Sequence, residues 1–176
     1  MTPRPRVAVS ECLLGHRVRY DGRERRDSVV ADQLARRFEL VPVCPEVGIG
    51  LPVPRDPVEL RGSPEAPRMA VIATGVDLTP TMDDWIALTL AALHDLAIAG
   101  LILKGRSPSC GPAGVPVVGE GTGSVAGTGM FALAARRRWP ELPLVEAETL
   151  ADPARRRAFV AGVTAAHGIG RRARSR

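Results

Sequence analysis

Short apolar runs alternate along the chain with longer segments in which apolar residues recur every three or four positions. Runs of four or five mainly apolar residues are typical of buried strands. They occur at residues 6–10, 40–43, 69–73, 101–104 and 142–145, with a further short strand predicted at 115–118. The helical period predicts helices at residues 28–38, 79–99, 129–138 and 152–166.

The helix predicted at 79–99 has the clearest end signals. Thr79 can cap its start, Pro80 suits the first helical position, and Gly100 provides a stop. Two stretches read as loops: residues 45–57, which hold four prolines, and the Gly/Pro-rich residues 105–129. A loop as long as the second one is usually functional.

The alternation of strands and helices predicts an α/β fold with a mainly parallel sheet and helices on both faces. The 176 residues are 45% hydrophobic, which fits one compact domain with a sizeable core, here assigned to residues 1–168.

The basic residues are concentrated at the end of the chain. The net charge is +5, from 24 basic and 19 acidic residues, and four arginines fall within the last six positions. Without those four, the chain carries 20 basic residues against 19 acidic ones. A nucleic-acid-binding core needs a larger excess, so we do not expect nucleic acid as a partner. Residues 169–176 are predicted to be a basic, disordered tail.

Membrane and export signals are missing from the pattern. No apolar run approaches the roughly 20 residues that a spanning helix needs. The N-terminal residues lack the apolar core of a signal peptide. We therefore expect a cytoplasmic protein with no membrane partner.

The chain has three cysteines, Cys12, Cys44 and Cys110, and none belongs to a C-x-x-C pair. Each comes at or just beyond the carboxyl end of a predicted strand. In open α/β sheets, ligands bind outside these strand ends, so a parallel sheet would gather the three thiols along one edge.

Three converging thiolates would suit a soft metal. One interpretation is an iron–sulfur cluster with three cysteine ligands and one iron left open. Another is a zinc site with three cysteines and water in the fourth position. The third is that the cysteines are ordinary buried residues, since free cysteine is commonly buried.

The residues beside the cysteines add candidate acid–base groups. Glu46 lies two positions after Cys44 and could act as a general base. Ser107 and Ser109 place two hydroxyls beside Cys110. These positions also suit plain turns, since serine, proline and glycine dominate turns.

A competing motif lies in the Gly-rich segment. Residues 121–126 match G-x-G-x-x-A, and Glu146 follows 20 residues later, as in a dinucleotide-binding unit. Glycine recurs at positions 119, 121, 123, 127 and 129, so a match in some register is expected by chance. A dinucleotide would also leave the three cysteines without a role. A flexible active-site loop is the favoured interpretation.

Five motifs, in this order, resemble the thiouracil desulfurase (TudS) family. They are ECLLG at 11–15, RYDG at 19–22, PVCPE at 42–46, GLPVPR at 50–55, and Lys104 with RSPSCG at 106–111. The resemblance runs from about Val7 to Val145, and it implies a Rossmann-like α/β domain.

The resemblance also implies a cofactor and a set of site residues. The cofactor is a [4Fe-4S] cluster held by Cys12, Cys44 and Cys110, with an open iron that takes the sulfur of a thiocarbonyl substrate. The catalytic carboxylate falls on Glu46. The catalytic serine falls on Ser107, with Ser109 as a second candidate.

The expected activity is the non-redox desulfuration of a thiolated pyrimidine such as 2-thiouracil, giving uracil and sulfide. The partner would then be a small molecule. Two alternatives stay open: a zinc-dependent hydrolase that uses the same three cysteines, and a non-enzymatic cluster or thiol protein that senses oxidation.

Overall fold

The computed structural model describes the backbone of residues 3–119, 121 and 123–174. Within these residues the chain forms eight strands and four α-helices. The strands are β1 (Arg6–Ser10), β2 (Glu39–Val43), β3 (Val58–Ser63), β4 (Ala66–Val71), β5 (Ile98–Leu103), β6 (Val115–Val118), β7 (Ser124–Gly127) and β8 (Leu144–Glu146). The helices are α1 (Pro45–Gly48), α2 (Thr79–Asp95), α3 (Met130–Arg138) and α4 (Pro153–Arg174).

The central sheet is parallel throughout, with the strand order β2-β1-β5-β8. Its inner strands β1 and β5 are buried on both faces, so they appear in the sequence as continuous apolar runs. Ala8 and Leu101 pack with α2 and α3, whereas Val7 and Ile102 pack with α4. This architecture confirms the predicted α/β fold.

A second sheet, in the order β4-β3-β6-β7, lies beside the first and was not predicted. Its strands pair antiparallel except for β3 with β6. The sequence of β3 is VELRGS, whose polar residues are half-buried or exposed, so it presents no apolar run. Strand β7 is almost entirely exposed and lies inside the Gly-rich segment.

The dinucleotide interpretation of residues 121–126 is wrong. That motif requires a strand that turns directly into a helix. Here the described part of the segment leads into β7, which pairs with β6 as an antiparallel hairpin. Glu120 and Thr122 lie outside the described residues.

Helix α2 begins at Thr79, where a helix was predicted, but neither its predicted cap nor its predicted end is correct. Leu78 is the N-cap residue, and the Thr79 hydroxyl instead accepts the backbone N–H of Met69 at 2.9 Å. The helix ends at Asp95, and Ala97 turns the chain with a φ of 53°. Gly100 therefore lies inside β5 and does not stop the helix. A Cβ atom at Gly100 would lie 2.8 Å from Cγ2 of Val163, so a glycine here lets α4 pack closely on the sheet.

Three further segments differ from the prediction. Residues 28–38 form a π-helical turn (Val29–Gln33) and a 3₁₀ turn (Leu34–Arg36), and not one regular helix. The proline-rich loop begins with the short helix α1. Helix α4 runs eight residues beyond its predicted end, into the segment assigned to the tail, whereas Ser175 and Arg176 lie outside the described residues. The boundary at residue 168 stays a prediction.

None of the described helices is both long enough and apolar enough to pass through a bilayer. This agrees with the hydropathy of the sequence. The predicted cytoplasmic location is a separate matter and stays a prediction.

Candidate active site

A cavity of about 260 Å³ lies at the carboxyl ends of β1, β2 and β5. All three cysteines line it. Cys12 belongs to the 3₁₀ turn after β1, Cys44 follows β2 directly, and Cys110 lies in the loop after β5. The parallel sheet thus brings together thiols that are far apart along the chain, as the sequence predicted.

The three thiols are free and substantially buried. Burial, reinforced by the neighbouring Cys44, raises the pKa of Cys12 to about 11. Burial also raises the pKa of Cys44 and of Cys110. The protein groups alone therefore favour neutral thiols, and a thiolate at neutral pH needs a positive partner such as a bound metal.

The loop that carries Cys110 is held by a serine hydroxyl. The Oγ atom of Ser107 accepts hydrogen bonds from the backbone N–H groups of Ser109 (3.3 Å) and Cys110 (3.1 Å). The backbone N–H of Gly111 donates to the Ser107 carbonyl at 2.8 Å. These bonds close a tight turn that directs the thiol into the cavity.

The same turn rests on the N-terminus of α3. Helix N-termini carry N–H groups without a partner in the helix, and here the turn supplies carbonyl acceptors. The backbone N–H groups donate to backbone carbonyls in three pairs: Gly129 to Gly111 (2.8 Å), Met130 to Pro108 (3.0 Å) and Phe131 to Ser109 (2.9 Å). A Cβ atom at Gly129 would lie 2.7 Å from backbone atoms of the turn, so only glycine permits this approach.

Glu46, in the first turn of α1, places its carboxylate at the wall of the cavity. Its Oε1 atom accepts a hydrogen bond from the Ser109 hydroxyl at 2.8 Å. Its Oε2 atom accepts a hydrogen bond from Nε of Arg55 (2.9 Å) and forms an ion pair with Nη2 of the same side chain (2.8 Å). The side chain of Arg55 is 4% exposed and that of Glu46 is 13% exposed, so the ion pair is almost fully buried.

The structure separates the two serines that the sequence proposed. Ser107 lines the cavity. Ser109 is only 1% exposed and lies outside the cavity lining, where its hydroxyl contacts Glu46. Ser109 can therefore orient the carboxylate, whereas Ser107 can reach a molecule in the cavity.

Basic side chains surround the mouth of the cavity. Arg19 pairs with Asp21 at 3.0 Å, and the hydrogen bond from Arg19 lowers the pKa of Asp21 to about 2. Lys104 donates to Glu148 at 2.6 Å. Arg106 also lines the cavity, and its backbone has a φ of 57°, which is uncommon outside glycine.

Sequence reasoning assigned no role to two side chains of this site. Arg55 is the last residue of the GLPVPR motif, and its place in that motif was the only indication in the sequence that it belongs to the site. Ser10 reads as the end of a buried strand, yet it lines the cavity and its hydroxyl accepts the backbone N–H of Lys104 at 3.0 Å. Burial raises the pKa of the Cys110 thiol, and a hydrogen bond from Ser10 partly offsets that increase.

The donor set consists of three soft sulfur atoms around one cavity. Within the part of the chain that the structure describes, no three His, Cys, Asp or Glu side chains converge on one metal-ion position. The three thiols lie instead around a cavity of about 260 Å³. Soft sulfur donors spread in this way fit an iron–sulfur cluster.

Comparison with known proteins agrees with this site. The 2-thiouracil desulfurase family matches residues 7–147, which include every cysteine. A Bacillus subtilis (strain 168) protein, "Uncharacterized protein YbbK", is 33% identical over 110 residues, covering 60% of this chain and 72% of the relative. A solved structure described as "[4Fe-4S]-dependent thiouracil desulfidase TudS" is 32% identical with a TM-score of 0.63, covering 84% of this chain and 94% of the other. By its sequence and its fold, this chain belongs to the 2-thiouracil desulfurase family.

Proposed function

We propose that this protein catalyses the non-redox desulfuration of a small thiolated pyrimidine such as 2-thiouracil, giving uracil and sulfide. The observation that carries the proposal is the single cavity lined by three free thiols and the Glu46 carboxylate. The family match and the thiouracil desulfidase of similar fold support it.

Cys12, Cys44 and Cys110 would hold a [4Fe-4S] cluster with three protein ligands and one open iron. When bound, the cluster supplies a soft Lewis acid that attracts a thiocarbonyl sulfur and makes the adjacent carbon more electrophilic. The remaining chemistry falls to side chains of this chain.

Glu46 would remove a proton from the attacking water. Its Oε2 atom accepts a hydrogen bond from Nε of Arg55 and lies 2.8 Å from Nη2 of the same guanidinium, whereas Oε1 accepts one hydrogen bond from Ser109. A carboxylate oxygen has two lone-pair sites, so Oε1 retains room for a water molecule. We assign the general-base role to this oxygen.

Ser107 would act as a hydrogen-bond donor to the reacting group. Its Oγ atom accepts two backbone N–H groups, which leaves its own proton available for donation into the cavity. That proton could stabilise the charge that develops on the pyrimidine ring as water attacks. Water replaces sulfur at the carbon, so thiouracil and water give uracil and hydrogen sulfide, with no change in oxidation state.

The test is anaerobic reconstitution with iron and sulfide, then incubation with 2-thiouracil and measurement of uracil and sulfide. We expect one uracil per sulfide released and no requirement for a reductant. Glu46→Gln should keep the iron content and lower the rate by at least about 100-fold, the usual contribution of a general base. Glu59→Gln, in an exposed pair with Arg61, is the matched control and should have no effect.

Metal analysis separates the alternatives. Iron with acid-labile sulfide and uracil formation supports the proposal. An active, colourless protein that contains zinc would support the zinc hydrolase. An iron-loaded protein that releases sulfur from no thiolated pyrimidine would support the sensor, and it would refute the enzyme proposed here.

A further inference from the structure

Arg55 makes a hydrogen bond to protein with every nitrogen of its guanidinium group. Nε donates to Oε2 of Glu46 (2.9 Å), Nη2 donates to the Val18 carbonyl (2.9 Å), and Nη1 donates to the Pro52 carbonyl (3.2 Å). Nη2 also lies 2.8 Å from Oε2 of Glu46 in the ion pair. The side chain is almost completely removed from solvent. A planar guanidinium that donates three hydrogen bonds and pairs with a buried carboxylate has one orientation available to it.

This arrangement fixes the Glu46 carboxylate at both oxygens. Arg55 holds Oε2 from one side, and the Ser109 hydroxyl holds Oε1 from the other. The carboxylate can then neither rotate about its terminal bond nor swing away without breaking a charged hydrogen bond.

Arg55 also holds the segment of chain that lies over the cavity. Its backbone N–H donates to the Tyr20 carbonyl at 2.9 Å, and its side chain holds the Val18 carbonyl. Val18 and Tyr20 line the same cavity as Glu46. One residue thus connects the carboxylate to the wall that faces a molecule in the cavity.

We propose that Arg55 is a positioning residue that sets the orientation of the Glu46 carboxylate and of the 18–20 segment for desulfuration. The inference rests on the proposed function and adds a residue to it. Arg55 does not touch the reacting atoms, and it acts through Glu46.

The experiment compares Arg55→Ala, Arg55→Lys and the control Arg61→Ala after anaerobic reconstitution. Arg61 pairs with Glu59 at 2.7 Å on the exposed side of β3, so it matches Arg55 in residue type and in partner but lies outside the cavity lining. We expect Arg55→Ala to keep its iron content and to lower kcat by about 100-fold, within the range for partners that orient a functional group, with a smaller change in KM. Arg55→Lys should recover part of the rate, because an ammonium can bind Oε2 but cannot span the Val18 carbonyl as well.

A double-mutant cycle distinguishes positioning from a general structural role. If Arg55 acts through Glu46, Arg55→Ala should cause no further loss of rate in a Glu46→Gln background. Equal losses in both backgrounds would overturn the inference. So would a wild-type kcat in Arg55→Ala.

Three further outcomes are decisive. If Arg55→Ala fails to fold or to take up iron, the inference is tested with Arg55→Lys. An iron-containing lysine variant with the wild-type kcat overturns the inference. An iron-containing lysine variant with a lower kcat supports it. A reconstituted wild-type protein that forms no uracil overturns the proposed function, and the inference fails with it. An active wild type with an equally active Arg55→Ala overturns the inference alone.

Discussion

Ser107 and Ser109 flank the same proline, yet their hydroxyl groups have different contacts. The Ser107 oxygen accepts the N–H groups of Ser109 and Cys110, so it shapes the turn that carries a thiol. The Ser109 hydroxyl donates to Glu46 and is buried behind it. At the scale of single residues, Ser107 stabilises the turn that carries the Cys110 thiol, whereas Ser109 orients the Glu46 carboxylate.

Alanine substitutions should separate these two contributions. Ser107→Ala removes the acceptor for two backbone N–H groups, so we expect a loss of about 1 kcal/mol in unfolding free energy and a lower iron content. Ser109→Ala should keep the iron and lower kcat roughly tenfold, because one hydrogen bond to the carboxylate is lost. Thermal unfolding, iron analysis and uracil formation measure the three quantities.

The control is Ser124→Ala, at an exposed position of β7, which should leave all three quantities unchanged. Iron loss in Ser109→Ala, with normal iron in Ser107→Ala, would contradict this division between the serines.

At the scale of elements, the turn after β5 and the start of α3 form one unit. The N–H groups of the N-cap residue Gly129 and of the first two residues of α3 donate to carbonyls of the turn, although the β6–β7 hairpin lies between the turn and the helix in the chain. The position of Cys110 therefore depends on a helix that begins 20 residues later in the sequence.

Gly129→Ala should break this unit. The added Cβ atom would meet only backbone atoms, at 2.7 Å, so no side-chain movement can relieve the contact. We expect a loss of about 2 kcal/mol in unfolding free energy, which is typical of overpacking, and a loss of bound iron. Denaturant unfolding and iron analysis provide the measurement.

Gly119→Ala is the control, because nothing lies within 4 Å of a Cβ atom at that position. Equal stability and iron content in the two variants would show that the turn does not need its contact with α3.

The strands with the clearest sequence signal are those whose burial is most complete. Strands β1 and β5 are covered on both faces, so all of β5 and the centre of β1 are apolar and the pattern is clear. Strand β3 is half buried and β7 is exposed, so neither has an apolar pattern. Both are strands because they pair with neighbouring strands of the second sheet. The end of α2 was misplaced because Gly100 serves close packing against Val163, which no local signal reveals.

At the scale of the whole molecule, the site was more predictable than the second sheet. Family membership, fold class and the desulfurase class of enzyme were predicted from the sequence and are confirmed. The thiol cavity followed from the general position of ligands in parallel sheets. The role of Arg55 could not be predicted, because its contacts with Val18 and Glu46 depend on how two irregular segments fold against each other.

Removal of iron should abolish the activity without unfolding the protein. Apolar clusters pack on both faces of the central sheet, and most of their members lie away from the thiols. We therefore expect anaerobic chelation to eliminate uracil formation, to leave the far-ultraviolet circular dichroism spectrum unchanged, and to be reversed by iron and sulfide. Cooperative unfolding on chelation would instead make the cofactor part of the structural core.

The three thiols follow three different strands of the sheet, and this separation affects how the site forms during biosynthesis. A nascent chain that has emerged as far as β2 presents Cys12 and Cys44 but not Cys110, and the turn that carries Cys110 is complete only when α3 has also emerged. The three-thiol pocket therefore cannot form during the early stages of translation. If Cys12, Cys44 and Cys110 hold the proposed cluster, its delivery follows synthesis of the chain through Phe131, whose N–H completes the contact with the Cys110 turn.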